Sequence, residues 1–295
     1  MQTRELGLSG LRVSVLGFGA MHINDERVSE DAAATLLNKV LDLGITLIDT
    51  ARGYGLSEER IGRHLAHRRS EFVLSTKLGY GVEGLPDWTY DCIVQGVERA
   101  LRLMRTDVLD IAHLHSCPLE TLRRGEVTRA LHDCRRAGKI RAAAYSGDNA
   151  ELAYAIASGD FGVLQTSINI CDQVNLAERL PDALARGLGV IAKRPIAGAI
   201  WRRSARPDDH AEGAYWDRWQ AMALEQDLPE ADWQDLTLRF SAHLPGVASC
   251  IVGTGKVEHL ERNLAAVAKG PLPTEQTALL RQRFAACQVD WPGLI

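Results

Sequence analysis

The sequence predicts a single α/β domain of the (β/α)8 (TIM) barrel class that spans residues 1–295. Eight short, nearly continuously apolar runs alternate with segments of helical periodicity, as expected for a parallel sheet covered by helices. The 295 residues, 46% of them hydrophobic, suffice for a barrel of about 250 residues with added segments. A doubly wound open sheet is the alternative, but GFGAMHIN lacks the third glycine of the phosphate-binding fingerprint.

The predicted elements follow one another in a regular order along the chain. The stretch RELGLSGLRVSVLGFG, with a turn at Ser9-Gly10, predicts an N-terminal β-hairpin and a first barrel strand near Val13 to Leu16. The other seven predicted strands are TLIDT, FVLSTK, VLDIAHLH, IRAAAYS, VLQTSIN, GVIAK and SCIVG. The helices are expected to begin near Glu30, Ser57, Tyr90, Glu120, Asn149, Leu176, Pro229 and Lys256.

Two segments of the sequence do not belong to the eight predicted strand–helix units. Residues from Arg194 to about Asp227 form a predicted long loop after the seventh strand, and loops of this length are usually lids or binding loops. The segment from Thr274 to Cys287 predicts an extra C-terminal helix.

The amino-acid composition excludes some classes of binding partner and indicates a cellular compartment. Lys+Arg 34 against Asp+Glu 38 gives a net charge of −4, so we expect no nucleic-acid partner. The polar N-terminus and the lack of an apolar run of about 20 residues predict no membrane association. No two of the six cysteines have the spacing of a paired metal or redox motif, which favours reduced thiols and a cytoplasmic location.

The carboxyl ends of barrel strands meet at one mouth, where catalytic residues are found in this fold class. The second predicted strand ends with Asp49 and is followed by Tyr54, the third ends with Lys77, and the fourth ends with His113 and His115. A tyrosine hydroxyl ordinarily ionises near pH 10, and a neighbouring ammonium eases the loss of its proton. The set therefore predicts an acid that protonates an oxygen as negative charge develops on it.

Less specific interpretations remain open for these residues. Each one alone is also compatible with a structural role, such as an ion pair at the barrel rim. His113, His115 and Cys117 alternate along one strand and so share a face, which allows a zinc site as an alternative. Companion ligands from other strands are not evident, and we therefore expect no metal.

Over nearly its whole length the sequence resembles the aldo-keto reductase family. The matching stretches are ELGLSGLRVSVLGFGAM, GITLIDTARGYGLSEERIGRHL, FVLSTKLG, DVLDIAHLH, AAYSGDN, VLQTSIN, GVIAKRPIAG and IVGTGKVEHLERNLAA. The resemblance implies NADP(H)-dependent reduction of an aldehyde or ketone by hydride transfer. It makes Tyr54 the general acid, with Asp49, Lys77 and His115 completing a catalytic tetrad.

The resemblance also implies a set of residues that bind NADPH, with NAD as the less favoured cofactor. Ser146 and Gln165 would hydrogen-bond the carboxamide, and Lys193 and the run from Arg194 to Gly198 would lie along the nicotinamide and pyrophosphate. The adenosine end would meet Gly253, Thr254, Gly255, Lys256, His259 and Asn263. A helix N-terminus after Gly255 independently favours an anion there.

The sequence departs from the family pattern at several cofactor positions. Lys193 replaces the aromatic residue that commonly stacks on the nicotinamide, Gly147 replaces an asparagine, and Arg262 replaces a glutamate. Trp88 and Trp201 are predicted walls of an apolar pocket for a small-molecule carbonyl substrate, such as a sugar or an aromatic aldehyde. A non-catalytic module that binds NADPH and regulates a partner is the alternative function.

Overall fold

Eight parallel strands close into a barrel in the computed structural model, which describes residues 1–294 except for the side chain of residue 178. The barrel strands are β3 (Leu16–Gly19), β4 (Leu47–Asp49), β5 (Val73–Leu78), β6 (Leu109–His115), β7 (Ile140–Ser146), β8 (Val163–Ser167), β9 (Gly189–Lys193) and β10 (Ser249–Gly253). Each strand pairs with the next, and β10 closes the barrel on β3 with Cys250 opposite Leu16. The predicted barrel class is confirmed; Ile295 lies outside the described residues.

An antiparallel hairpin of β1 (Thr3–Glu5) and β2 (Arg12–Ser14) closes the amino-terminal end of the barrel. Leu6, Leu11 and Val13 are buried and pack against the apolar residues of the barrel interior. Because Val13 belongs to the hairpin, the first barrel strand begins at Leu16, and the predicted start near Val13 is wrong by three residues.

Helices connect the strands on the outside of the barrel. Within residues 1–294 they are α1 (Glu30–Asp42), α2 (Ser57–Leu65), α3 (Tyr90–Met104), α4 (Leu119–Arg124), α5 (Glu126–Arg136), α6 (Asn149–Ser158), α7 (Val174–Glu178), α8 (Leu180–Ala185), α9 (His210–Met222), α10 (Leu224–Asp227), α11 (Trp233–Ala242), α12 (Val257–Ala268) and α13 (Thr274–Cys287). None of these described helices has both the length and the apolarity that crossing a membrane requires.

Two predicted helices are each divided in the structure. Gly125 has a φ of 72° between α4 and α5, a conformation that stops one helix before the next begins. A proline, Pro181, lies at the start of α8, where its missing N–H costs no helical hydrogen bond.

The segment after β9, predicted from the sequence as a long loop, is largely helical. It contains a 3₁₀ segment at Ala197–Arg202 followed by α9 and α10. Asp209 caps α9, because its carboxylate accepts hydrogen bonds from the backbone N–H groups of Ala211 and Glu212 at 3.0 and 2.9 Å. Trp219 of α9 is buried against Trp233 at the start of α11, so this segment packs onto the helices that cover the barrel.

The barrel interior changes from apolar to polar along its axis. Near the amino ends of the strands it is filled by side chains such as Leu47, Val73 and Ile111. Two residues further along β4 and β5, Asp49 and Ser75 replace them, because alternate residues of a strand face the same side. The polar end of the barrel is therefore where a site can form.

Candidate active site

A cavity of about 510 Å³ opens at the carboxyl ends of the strands. Ten of the residues predicted from the sequence line it: Asp49, Tyr54, Lys77, His115, Ser146, Gln165, Lys193, Arg194, Gly198 and Gly253. They come from seven strands and the turns that follow them, so their convergence is a consequence of barrel closure.

Asp49 and Lys77 form a buried ion pair at the base of this cavity. The Nζ atom of Lys77 lies 2.5 Å from Oδ2 of Asp49 and donates to the carbonyl oxygen of Thr50 at 2.8 Å. Oδ1 of Asp49 accepts hydrogen bonds from the Ser75 hydroxyl at 2.8 Å and the Gln165 amide at 2.9 Å. Burial, the largest single effect, lowers the pKa of Lys77, but the effects of Asp49 and Tyr54 together outweigh it and the pKa is raised, so the ammonium stays charged.

Tyr54 stands over this pair at the end of the turn between β4 and α2. The Nζ atom of Lys77 lies 5.0 Å from the centroid of the Tyr54 ring. The ring of His115 meets the Tyr54 ring edge-on, with the two centroids 6.2 Å apart. The phenol of Tyr54, the ammonium of Lys77 and the imidazole of His115 thus lie next to one another on one side of the cavity.

Both histidines of β6 are neutral at physiological pH. Burial lowers the pKa of His113 to about 4, and burial together with the cationic charge of Lys77 lowers that of His115 to about 3. Nε2 of His113 lies 3.1 Å from Oγ of Ser75, whose own proton goes to Asp49. His113 therefore donates its proton into the same network.

The zinc alternative has no support from the geometry. Among the described residues, no group of three His, Cys, Asp or Glu side chains is arranged to hold a metal ion. The Cys117 thiol is buried, and burial raises its pKa to about 12, which disfavours the thiolate that binds zinc.

Ser146 and Gln165 lie side by side on the opposite wall. The Ser146 hydroxyl donates to Oε1 of Gln165 at 3.1 Å, and the Gln165 amide in turn donates to Asp49. Both residues are buried and face the cavity. Their hydrogen bonds connect this wall directly to the ion pair.

Lys193 and Arg194 have partners that the sequence does not reveal. Nζ of Lys193 lies 2.9 Å from Oδ2 of the buried Asp148, and burial lowers the pKa of Lys193 against the opposing effect of this carboxylate. The Arg194 guanidinium donates to the carbonyl oxygen of Leu294 at 2.8 Å. The described end of the chain thus lies against the wall of the cavity.

A second, smaller cavity of about 90 Å³ adjoins the first and shares Ile196, Val252 and Gly253 with it. Three further predicted cofactor residues line it: Thr254, His259 and Asn263. The Thr254 hydroxyl accepts from the Lys256 N–H at 3.1 Å and contacts the His259 ring at 3.2 Å. Gly255 and Lys256 are exposed in the turn before α12, outside the linings of both cavities in the described chain.

The predicted pocket tryptophans are positioned differently from the prediction. Among the described residues that line the main cavity, neither Trp88 nor Trp201 is present. Trp201 packs against Trp219, with ring centroids 6.2 Å apart, because the segment after β9 folds into helices. Trp88 covers Gly79, where a Cβ atom would lie only 2.1 Å from the indole ring.

Sequence reasoning missed several side chains at the site. His22 and Tyr215 line the cavity, and Asp148 neutralises Lys193 beneath it. Tyr80 hydrogen-bonds to Nδ1 of His115 at 2.7 Å. The position of Tyr80, three residues after Lys77 in a turn between two glycines, was the available signal.

The comparisons with known proteins agree with this geometry. The model of the aldo/keto reductase family matches residues 15–283. L-galactose dehydrogenase from Arabidopsis thaliana is 27% identical, covering 90% of this chain and 88% of its own. A probable voltage-gated potassium channel subunit beta from Oryza sativa subsp. japonica is 28% identical, covering 94% of both chains.

A solved structure extends the match to three dimensions. The holo form of aldo-keto reductase AKR11C1 from Bacillus halodurans superposes with a TM-score of 0.83 at 26% identity, covering 96% of both chains. The family model spans nearly the whole barrel, and the strand order and N-terminal hairpin fit the same fold. On these grounds the chain belongs to the aldo/keto reductase family.

Proposed function

We propose that this protein is an NADP(H)-dependent oxidoreductase that reduces an aldehyde or ketone to an alcohol, with Tyr54 as the general acid. The observation that carries the proposal is the buried Asp49–Lys77 ion pair beneath Tyr54 at the base of the cavity. A sugar or an aromatic aldehyde is the proposed substrate class. The similarity to L-galactose dehydrogenase supports a sugar.

The site has room and hydrogen-bonding groups for an extended nicotinamide dinucleotide. The two cavities adjoin across Ile196, Val252 and Gly253, so one elongated ligand can occupy both. Ser146 and Gln165 would hold the carboxamide, and the turn from Arg194 to Gly198 would hold the pyrophosphate. Thr254, Lys256, His259 and Asn263 would hold the adenosine end, where the cationic Lys256 favours a 2′-phosphate and hence NADP over NAD.

In the proposed reaction, each residue of the tetrad has a different role in proton transfer. When bound, the reduced nicotinamide supplies a hydride for the carbonyl carbon. Tyr54 donates its hydroxyl proton to the carbonyl oxygen, and the Lys77 ammonium stabilises the phenolate that remains. Asp49 keeps Lys77 charged and in place through their 2.5 Å contact. His115 stays neutral and serves as a hydrogen-bonding group and not as a proton source.

A cytoplasmic location belongs to the same proposal. All six cysteines are free and unpaired, in keeping with a reducing compartment.

Tyr54→Phe tests the proposed mechanism. The variant should lose about 10²–10⁴-fold in kcat, the usual contribution of a general acid. Its affinity for NADPH, measured by fluorescence titration beside NADH, should stay close to that of the wild type. Tyr90→Phe is the matched control, because the Tyr90 hydroxyl donates to Asp133 outside the barrel. Wild-type turnover in Tyr54→Phe would refute the assignment of the acid.

A regulatory module that binds NADPH without catalysis is the second candidate. The observation that favours it is the similarity to the potassium channel subunit beta over 94% of the chain. Single-turnover mixing of the NADPH-loaded protein with a panel of aldehydes and ketones separates the two functions. An enzyme oxidises stoichiometric NADPH with at least one carbonyl, whereas a pure sensor binds NADPH and consumes none.

A further inference from the structure

Tyr80 makes a direct contact with the catalytic histidine of the proposed mechanism. Its hydroxyl oxygen lies 2.7 Å from Nδ1 of His115. The two rings are also stacked, with centroids 5.6 Å apart and planes inclined by 26°. Hydrogen bond and stacking together fix the orientation of the imidazole.

The surroundings of Tyr80 hold this contact in place. Gly79 before it has a φ of 136°, and its carbonyl oxygen accepts a 2.7 Å hydrogen bond from the Trp88 N–H. The Trp88 ring then meets the Tyr80 ring edge-on at 6.1 Å between centroids. On the other side, a Cβ atom at Gly53 would lie 3.0 Å from the Tyr80 hydroxyl. Tyr80 is therefore confined between two segments, and its hydroxyl is directed at His115.

The contact determines which ring nitrogen of His115 carries the proton. A neutral imidazole has one N–H donor and one acceptor nitrogen. Burial raises the pKa of Tyr80, so the phenol keeps its proton. Among the described residues, His115 is the one hydrogen-bond partner of that hydroxyl, so the phenolic proton points at Nδ1 and makes Nδ1 the acceptor.

We propose that Tyr80 is a positioning residue that holds the proton of His115 on Nε2, so that the ring presents a hydrogen-bond donor to the carbonyl oxygen. His115 lines the cavity, and its Nε2 has no hydrogen bond to any described residue. A donor at this point stabilises the negative charge that develops on the oxygen. The opposite tautomer would present a lone pair and repel that charge. The effect on catalysis rests on the proposed function, whereas the tautomer itself does not.

Tyr80→Phe is the informative variant, because it keeps the stacked ring and removes only the hydroxyl. Losing an oxyanion donor outright costs about 10²–10³-fold in kcat. Tyr80→Phe leaves a mixture of two tautomers, so kcat should fall in proportion to the fraction of rings still protonated on Nε2, by about 2-fold for an even mixture. KM for the carbonyl and the affinity for NADPH should change little, since Tyr80 is not among the described residues that line either cavity. Tyr90→Phe again serves as the control.

The tautomer is read directly by ¹⁵N NMR of the full-length protein labelled at histidine, without substrate. The signals of His115 are identified by their loss in His115→Gln. We expect an unprotonated, hydrogen-bonded Nδ1 and a protonated Nε2 in the wild type, and a shift towards the other tautomer in Tyr80→Phe. A wild-type ring protonated on Nδ1, or unchanged shifts in Tyr80→Phe, would overturn the proposal.

The kinetic measurement and the NMR measurement test the proposed function and the tautomer of His115 separately. If the wild type reduces no carbonyl, the proposed function fails, and the NMR result still decides the tautomer. If the wild type is active and Tyr80→Phe changes the tautomer without lowering kcat, the positioning role is refuted.

Discussion

Replacing Lys77 with methionine removes the cation that neutralises Asp49 inside the barrel. The two side chains are 3% and 2% exposed, so solvent cannot compensate for the lost charge. Breaking a buried ion pair by removing one partner costs about 3–5 kcal/mol, because it leaves an uncompensated buried charge. We expect Lys77→Met to lower the free energy of unfolding by about this amount, and Asp49→Asn to have a comparable effect.

The double variant Lys77→Met/Asp49→Asn is the decisive comparison. It removes both charges, so its cost should fall well below the sum of the two single costs, with a coupling energy of about 2 kcal/mol or more. Equilibrium urea unfolding at pH 7, followed by circular dichroism, measures all three values.

Arg206→Met is the matched control. The Arg206 side chain is 53% exposed and that of its partner Asp217 is 55% exposed, so its loss should cost less than about 1 kcal/mol. Additive single costs, or a loss below about 1 kcal/mol in Lys77→Met, would refute the electrostatic reasoning.

Two further predictions concern folding stability. Gly62→Ala should cost about 2 kcal/mol or more in urea unfolding, because a Cβ atom there would lie 2.0 Å from the carbonyl oxygen of Leu103. Gly162→Ala, with nothing within 4 Å of the new atom, should cost much less, and equal costs would contradict the argument. The pKa of His113 is about 4 in the folded protein against 6.5 for an ordinary histidine, so the unfolded state binds the proton first and stability falls as pH drops from 6.5 to 4. His113 alone should account for a loss of ~3 kcal/mol in the free energy of unfolding over this pH range. The variant His113→Asn should therefore show a shallower decline than the wild type between pH 6.5 and pH 4. An identical decline in the two proteins would refute this role of His113.

Most of the barrel can be predicted from the sequence, because strands and helices are specified by local patterns of residues. Short apolar runs alternating with helical periodicity specify buried parallel strands and covering helices. The boundary between β2 and β3 could not be predicted, because the two strands form one apolar stretch in the sequence. They are separated in the structure by the hairpin, in which Val13 pairs with Arg4. Residues at strand ends, such as Asp49 and Lys77, could be predicted to meet because all eight carboxyl ends face one mouth.

Side-chain partners distant in sequence could not be predicted in this way. Arg194 bonds to Leu294, 100 residues away, and Tyr80 bonds to His115, 35 residues away, through geometry that no local pattern encodes. Trp201 faces Trp219 and not the cavity, because the segment after β9 folds into helices that turn it there.

The barrel and the set of polar residues at its mouth can thus be predicted from the sequence, since both follow from periodicity and from position at strand ends. The hydrogen bonds that those residues make depend on the tertiary structure. Closure of the barrel and folding of the connecting segments fix the direction of each side chain, and direction decides whether a phenol such as Tyr80 contacts His115 or solvent.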